Sequence, residues 1–558
     1  MKKFNKDKYL KKLKLKRFWQ SNSRYFYIGV PCILCGILCI YFAYSKFFVI
    51  QEKSVVQTKV GNFVYGDVVI NNYVNGEYAV DAPAQGTGYK VDKIVCDNGA
   101  TGTWDGKDWG PTISNVTRRS KCNIYFVDAE MVSIGNSAVP LDYYGLCPTL
   151  NADGTATVTD AESQYGYLCS MKDAYGTSYY YRGNVTNNYV LFAGFYWRIV
   201  RINGDGTIRV IYDGTSAHSN GESSTDRQIG TSAFNSYWKK DNVQESTRSH
   251  IYYDNAGVGY MYGNRDGIIE PSTQYSTSSY TNTNTYYIAK EYTYNASTDR
   301  FTLKDPIAVL GSAMTSDYVG YYAFHTHSPG SFQYVIKITS VTAGSSEATV
   351  GYKHVIYGTT SKEKAQTNTN DSTIRTYLDN WYKTNIVGTS NEQYLADNIF
   401  CNDRSISTGI QSGYSNLGYG TEKTAYRWYY FAGDVNNNKM MLICPQKNDA
   451  FTVSDTTNGN GALTYPVGLL STDEIVLAGG WDDSNSGYYL YSGQEWWASS
   501  PGELTGEYAT VHTVYSDGDA EFRGIVNFDY GVRPVFNLKA EVLAQGSGTA
   551  SDPYHPAS

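Results

Sequence analysis

One uncharged apolar segment near the N-terminus constrains this chain more than any other feature. Residues 25–45 read YFYIGVPCILCGILCIYFAYS and contain no charged side chain. About 20 such residues, rising about 1.5 Å each in a helix, match the roughly 30 Å hydrocarbon core of a bilayer. The tyrosines near both ends suit the membrane–water interfaces. The segment therefore predicts a single transmembrane helix at residues 25–46.

The charges before this segment predict its orientation. The first 25 residues contain ten Lys or Arg and one acid, Asp7. Because basic residues stay on the cytoplasmic side, we expect residues 1–24 to be a basic cytoplasmic stub and the rest to lie outside the cell. A cleaved signal peptide is the alternative. The long charged region and the lack of an Ala-x-Ala-like site favour an integral, single-pass membrane anchor.

The remaining chain has the composition of a β-rich exterior protein. It contains 36 Lys or Arg against 52 Asp or Glu, since the whole chain has 46 and 53. This acidic balance argues against nucleic acid as a partner, because phosphate binding needs a basic face. The whole chain contains 54 Tyr, which favour strands, and 53 Gly, which supply turns. A part of this length predicts at least two domains.

The cysteines agree with an exterior location. Cys32, Cys35 and Cys39 lie in the apolar segment, where helix packing explains their spacing. The other six favour three local disulfides, although six cysteines allow about 15 pairings and buried free thiols are the alternative. The preferred pairs are Cys96 with Cys122, Cys147 with Cys169, and Cys401 with Cys444.

The sequence divides the exterior part into two domains. Residues 58–127 predict a small β-sandwich with a hairpin at Asn75-Gly76, and residues 128–145 predict a linker. Residues 146–545 predict a larger α+β domain that carries a β-rich insertion at about 265–366. Residues 546–558 predict a flexible tail.

Three local signals mark the larger domain. Apolar and polar residues alternate on both sides of residues 203–206 (NGDG), which predicts a hairpin. Helical spacing in residues 371–386 predicts a helix capped by Ser372 or Asp371. Ser471 and Glu474 form a capping box that opens a helix of about two turns before Gly479-Gly480. Strands are predicted after it at YYLYS, EWWASSP, YATVHTVYS, AEFRGIV and GVRPVFNLK.

The order LSTDEIVLAGG, WWASSP and GVRPVFNLK over about residues 425–540 resembles the C-type-lectin-like fold. The nearest branch contains the formylglycine-generating enzymes and the variable proteins of diversity-generating retroelements. Those enzymes keep a cysteine pair for copper near the end of the domain, whereas no Cys follows Cys444 here. The sugar–calcium motifs of C-type lectins are also absent. Three further segments resemble uncharacterised surface proteins of Gram-positive gut bacteria, which implies a bacterial plasma membrane. They are CDNGATGTWD, GTSYYYRGNVTNNYVLFAGFYWRIVRINGDG and STIRTYLDNWYKTNI.

No catalytic residue, metal ligand or cofactor is predicted. The chain has no Gly-x-Ser-x-Gly, phosphate-loop or His-Glu-x-x-His motif. His325 and His327 lack a third ligand at useful spacing, and Asp205 is better explained as a turn residue than as a calcium ligand. Any two carboxylates about 5–10 Å apart could serve a glycosidase, but the sequence assigns no such pair.

A ligand-binding face is predicted between residues 496 and 523, because Tyr, Trp and Arg give rigid contact area at low entropic cost. Alternation places Tyr508 and His512 outward on one strand. The alternative is that the aromatic residues are core. The predicted binding residues are Trp496, Tyr508, His512, Tyr515, Glu521 and Arg523.

The sequence thus predicts a membrane-anchored cell-surface protein that displays a recognition or adhesion domain for an exterior protein or glycan. A structural, envelope-associated protein without a dedicated ligand is the second hypothesis. A glycan-active hydrolase is the third.

Overall fold

The computed structural model describes residues 10–17, 68–84, 88–106, 108–116, 119–236, 254–264, 266–270, 276–281, 285–295, 300–323, 335–407, 423–429, 439–481, 483–505, 508–520 and 523–557. The predicted β-rich class is confirmed. Residues 10–17 of the basic stub are helical. Among these residues no helix has both the length and the apolar character to cross a membrane. The helix predicted at 25–46 lies outside them.

The chain forms two compact units, Met1–Asp128 and Ala129–Ser558. The strands of the first unit are β1 (Val68–Val74), β2 (Glu77–Ala79), β3 (Tyr89–Cys96), β4 (Thr101–Asp105), β5 (Gly110–Ser114) and β6 (Ser120–Asp128). They form a four-stranded sheet in the order β2-β1-β6-β3 and a β4–β5 ribbon. The hairpin predicted at Asn75-Gly76 joins β1 to β2, and φ values of 49° and 88° place both residues in the left-handed region.

The second unit begins with hairpins. Its first strands are β7 (Met131–Ile134), β8 (Ser137–Pro140), β9 (Thr149–Leu150), β10 (Ala156–Thr157), β11 (Gly166–Lys172), β12 (Thr177–Gly183), β13 (Tyr189–Phe192), β14 (Phe195–Ile202), β15 (Ile208–Gly214), β16 (Thr231–Ala233) and β17 (Met261–Tyr262). β14 and β15 pair on either side of residues 203–207, where the hairpin was predicted.

A separate seven-stranded sheet occupies the region predicted as an insertion. The strands of this region are β18 (Gly267–Ile269), β19 (Ser276–Thr281), β20 (Thr285–Ala289), β21 (Glu291–Asn295), β22 (Arg300–Lys304), β23 (Ile307–Leu310), β24 (Tyr322–Ala323), β25 (Val335–Ala343) and β26 (Glu347–Gly358). β21 and β22 form a ribbon of their own. Buried residues such as Ile288, Ile338 and Val350 give the sheet its own core.

The chain then returns to the main body of the second unit. The elements are α1 (Lys362–Ala365), β27 (Asn370–Asp371), α2 (Thr373–Asn385), β28 (Phe400–Cys401), β29 (Thr424–Ala425), β30 (Lys439–Met440), β31 (Ala450–Phe451), α3 (Thr472–Leu477), β32 (Trp496–Leu504), β33 (Ala509–Val514), β34 (Arg523–Ile525), β35 (Asp529–Gly531) and β36 (Val535–Leu538). Both predicted helices, α2 and α3, are present. Ser372 caps α2, and Ser471 and Glu474 form the predicted capping box of α3.

Two six-stranded sheets share the main core. One has the order β11-β12-β14-β15-β36 with β13 beside β14, and the other has the order β16-β35-β32-β33-β34 with β29 beside β32. Trp197 of β14 stacks on Phe536 of β36 with ring centroids 4.6 Å apart, and Trp381 of α2 packs beside them. The last strand, β36, therefore completes the sheet that begins with the β11–β12 hairpin.

Two segments expected to be loose are ordered parts of the second unit. Within the predicted linker 128–145, the β7–β8 hairpin puts Val132 and Ile134 into the main core. Within the predicted tail 546–558, Tyr554 is buried and its backbone bonds to Tyr189 and Leu191 beside β13. Buried Val132 and Ile134 fix the first segment, and buried Tyr554 with its backbone hydrogen bonds fixes the second.

All three predicted disulfides are present. They join Cys96 to Cys122, Cys147 to Cys169, and Cys401 to Cys444. The first pair links opposite positions of β3 and β6.

Candidate functional site

The strand that was predicted to carry the ligand face is buried on both of its faces. Every residue of β33 is buried, because Ala509 and Val511 pack in the main core while His512, on the other face, packs against Trp428. His512 is 0% exposed and Trp496 is 1% exposed. The predictions of an outward His512 and a ligand-binding Trp496 are therefore wrong. Alternation could not assign the outer face because a strand covered on both faces has none.

The other predicted residues lie at the ends of these strands. Tyr508 is half-buried in the turn between β32 and β33, where its N–H bonds to Thr505. Tyr515 follows β33 and is half-buried as well. Glu521 lies outside the described residues. Arg523 opens β34 opposite His512 and keeps 34% of its side chain exposed.

Arg523 is the centre of a small polar surface that we call the Arg523 patch, formed by Tyr429, Gly502, Glu503 and Arg523. Arg523 Nη1 donates to the Tyr429 carbonyl at 3.2 Å and to Glu503 Oε1 at 3.4 Å. The guanidinium carbon lies 5.1 Å from the centre of the Tyr429 ring. A side chain on Gly502 would meet the Arg523 stem, since its Cβ would lie 3.1 Å from Cδ. Tyr429 and Glu503 thus restrict the arginine, and Gly502 leaves room for its stem.

Burial shifts the pKa values of Glu503 in the patch and of His512 beneath it. Burial raises the pKa of Glu503, and the charge of Arg523 offsets part of this rise. Burial and the charge of Arg523 lower the pKa of His512 to about 4. His512 Nε2 lies 2.8 Å from the Trp428 carbonyl, so this nitrogen carries the proton of the neutral ring. The base of the patch is therefore a neutral, hydrogen-bonded imidazole at pH 7.

We expect acid to destabilise the protein partly through His512. Unfolded histidine binds a proton near pH 6.5, whereas folded His512 does so only at about 4. Its contribution to stability is therefore complete above pH ~6.5 and is lost as the pH falls towards ~4, by about 2 kcal/mol at pH ~5. Denaturant unfolding at pH ~6.5 and pH ~5 should show a smaller loss of stability in acid for His512→Gln than for the native protein. His555→Gln is the control, and an unchanged pH slope in His512→Gln would contradict the assignment.

A buried group of charges surrounds α3, and the sequence analysis did not find it. Glu474 Oε1 lies 2.6 Å from Arg209 Nε and 3.1 Å from Arg201 Nε, and Arg201 Nη1 lies 2.9 Å from Asp173. The Ser471 N–H donates to the second Glu474 oxygen at 3.0 Å. The capping box indicated the helix, but its glutamate also joins strands β14 and β15 to α3.

A second set of contacts connects α3 to the Arg523 patch. Arg427 bridges Asp403 and Asp473, and Trp428 Nε1 donates to Asp473 at 3.1 Å. Burial raises the pKa of Asp473, and the charge of Arg427 offsets part of the rise. Because Tyr429 directly follows these two anchored residues, α3 helps to position the aromatic ring of the patch.

A cavity beside this cluster is too small for an organic substrate. Its volume is about 20 Å³, which holds about one water molecule. The charged groups in its wall are already paired, Glu474 with Arg201 and Arg209, and Asp473 with Arg427. The cluster is therefore a scaffold. The lining residues are Arg201, Arg209, Ile399, Cys401, Met441, Leu442, Ile443, Cys444, Pro445, Ser471, Asp473 and Glu474.

A further buried cluster places three arginines around Asp213. Asp213 Oδ1 lies 2.7 Å from Arg227 Nη2 and 3.2 Å from Arg533 Nη2, and Arg198 Nη1 lies 3.9 Å from Oδ2. Burial and the charge of Arg227 lower the pKa of Arg533 to about 9. Further N–H groups of these arginines donate to the carbonyls of Val185, Tyr212, Glu222, Tyr489 and Leu490. The cluster therefore fixes loop backbones.

The structure describes one of the two candidate metal sites considered from the sequence. Asp205 Oδ1 accepts hydrogen bonds from the Thr207 N–H and hydroxyl, which is a turn contact. His325 and His327 lie outside the described residues. Within the described ranges, no group of three or more His, Cys, Asp or Glu could hold a metal ion.

Comparison with protein families gives a match in the C-terminal part of the chain. Residues 352–540 are similar to a family described as Domain of unknown function (DUF6273). No curated protein and no solved structure matches the chain. The matched region contains α2, α3 and β32–β36, and so includes the whole Arg523 patch.

Proposed function

We propose that this protein is a membrane-anchored bacterial cell-surface protein whose exterior part recognises a ligand, as an adhesin does. The Arg523 patch carries the proposal. It presents a partly exposed guanidinium beside the Tyr429 ring, and buried ion pairs hold the backbone behind that ring. Groups held in place before binding lose less entropy on complex formation. The proposed ligand is an exterior protein or a glycan.

The sequence and the disulfides support the proposed location. A basic stub followed by an uncharged apolar segment favours a cytoplasmic N-terminus. The three disulfides favour an oxidising exterior for the rest of the chain.

We also propose a C-type-lectin-like fold for about residues 425–540. The support is the order of α3 with its capping box, the tryptophan-bearing strand β32 and the closing strand β36. This is the order in which the resembling motifs occur in the sequence.

The topology has a direct test. Protease treatment of intact cells should release a fragment of nearly the size of residues 46–558, because only the stub and the apolar segment would be protected. Antibodies against residues 1–24 should react only after the cells are permeabilised. A fully protected chain, or one secreted without residues 25–46, would contradict the proposed anchor.

Recognition is tested with the aromatic residues of this region. Full-length protein should bind selected members of a glycan array or immobilised mucin, and Tyr429→Ala or Tyr508→Ala should weaken capture at least ~10-fold, since such anchors contribute ~1.4 kcal/mol or more. Tyr78→Ala is the matched control, because Tyr78 is 63% exposed in the first unit. Unchanged capture, together with a melting temperature several degrees lower, would make these tyrosines scaffold. Absence of any ligand would favour the envelope-associated alternative.

A further inference from the structure

We propose that the ligand of the Arg523 patch is an acidic sugar, and that Arg523 binds the sugar carboxylate through Nε and Nη2. This inference rests on the proposed recognition function and deepens it. The contacts of the Arg523 guanidinium group are asymmetric.

Only one of the three nitrogens of Arg523 is engaged within the part of the chain that the structure describes. Nη1 contacts the Tyr429 carbonyl and Glu503. Nε and Nη2 have no partner among the described residues, and the side chain is 34% exposed. The N–H bonds of Nε and Nη2 on this edge run parallel, a geometry that matches the two oxygens of a carboxylate.

The open edge is also held in a fixed place. The Arg523 stem lies over Gly502, where the absence of a side chain leaves room for Cδ and Cγ. The guanidinium plane rests by the Tyr429 ring. A flexible surface arginine loses conformational freedom on binding, whereas these contacts have already removed much of that freedom from Arg523.

The neighbouring carboxyl group leaves room for a second anion. Glu503 is largely buried, with 11% of its side chain exposed, and Arg523 contacts only its Oε1. This contact is a single hydrogen bond of 3.4 Å and does not use the parallel edge. A bidentate ligand carboxylate would therefore add to the existing contact without displacing it.

The composition of the patch favours a sugar over a protein. Stable protein interfaces take most of their binding energy from an apolar, fully buried centre. The patch has instead one charged fork, one aromatic ring with a hydroxyl group and one buried acid. A uronic or sialic acid, with one carboxylate on a ring of hydroxyl groups, matches these groups.

The test uses the purified full-length protein and calorimetric titration with trigalacturonate and sialyllactose. At least one should bind, and its carboxyl methyl ester should bind at least ~10-fold more weakly, because the ester removes the charge and one strong acceptor. Arg523→Gln should weaken binding at least ~10-fold, and Arg523→Lys should recover only part of it. Arg119→Gln is the matched control, since Arg119 is exposed in the first unit.

The outcomes separate the acidic-sugar proposal from the wider recognition function. Equal binding of acid and ester by the native protein overturns the proposal even if Arg523→Gln folds poorly. Binding of a peptide with a free carboxyl terminus, but of neither acidic sugar, assigns the carboxylate to a protein and also overturns it. Failure of both sugars while a neutral glycan or mucin binds overturns the proposal but leaves recognition standing. Failure of every probe contradicts both.

Discussion

Replacing Asp213 with asparagine should lower the free energy of unfolding by about 3–5 kcal/mol. Asp213 is the acid on which Arg198, Arg227 and Arg533 converge, and all four side chains are 0% exposed. Asparagine keeps the size and one acceptor but removes the charge. Three guanidinium groups would then repel one another in a medium of low dielectric constant, with only neutral carbonyls as partners.

Guanidinium-induced unfolding followed by tryptophan fluorescence measures the effect of Asp213→Asn. Asp529→Asn is the matched control, because Asp529 is exposed on β35. The control should change stability by no more than about 0.5 kcal/mol. Equal stability of the two variants would show that the carbonyl groups alone satisfy the arginines.

Replacing Glu474 with glutamine should cost a similar amount, about 3–5 kcal/mol. Glu474 pairs with Arg201 and Arg209 through contacts of 3.1 and 2.6 Å, and all three side chains are buried. Glutamine would turn either its N–H₂ group or an uncharged oxygen towards two guanidinium groups. The loss should exceed the ~1 kcal/mol expected from Ser471→Ala, which removes only the helix cap.

The cost of Glu474→Gln should depend on pH. Burial alone raises the pKa of Glu474, but the charges of Arg209 and Arg201 outweigh burial and lower it. The stabilisation is therefore complete above the unfolded pKa of ~4.3 and is lost as the pH falls through the lower folded value. Unfolding at pH ~7 and pH ~3 should show the two proteins converging in acid. Glu541→Gln, at an exposed position, is the control.

Several features could be predicted from sequence because their causes are local. The Asn75-Gly76 turn needs two residues that tolerate positive φ, and both are adjacent. The capping box of α3 needs only Ser471 at the N-cap and Glu474 three residues later. The Cys96–Cys122 disulfide follows from two predicted strands that flank one loop. No distant contact is required for any of these features.

The segment YYLYS shows where local patterns fail. Its composition favours a strand, but residues 488–492 form an irregular segment with a turn at 489–490, and Tyr488 and Tyr489 are buried. The Tyr489 carbonyl accepts from Arg227 and the Leu490 carbonyl from Arg533. Distant arginines thus replace the hydrogen bonds of a β-ladder. His512 and Trp496 were misplaced for a related reason, because distant residues cover them: Trp428 packs against His512, and the Arg533 guanidinium lies over the Trp496 ring.

The sequence by itself determined the β-rich class, the disulfides, helices α2 and α3 and the hairpin turns, since each depends on composition or on residues close in the chain. Tertiary structure alone decided which polar residues are buried partners and which remain open. Arg201 and Glu474 are 273 positions apart, and Arg533 and Asp213 are 320 apart. A charge pair is stable in the interior only when folding brings both partners together away from water. For the same reason Arg523, held by Tyr429 from 94 positions away, could be recognised as the centre of the patch only in the folded chain.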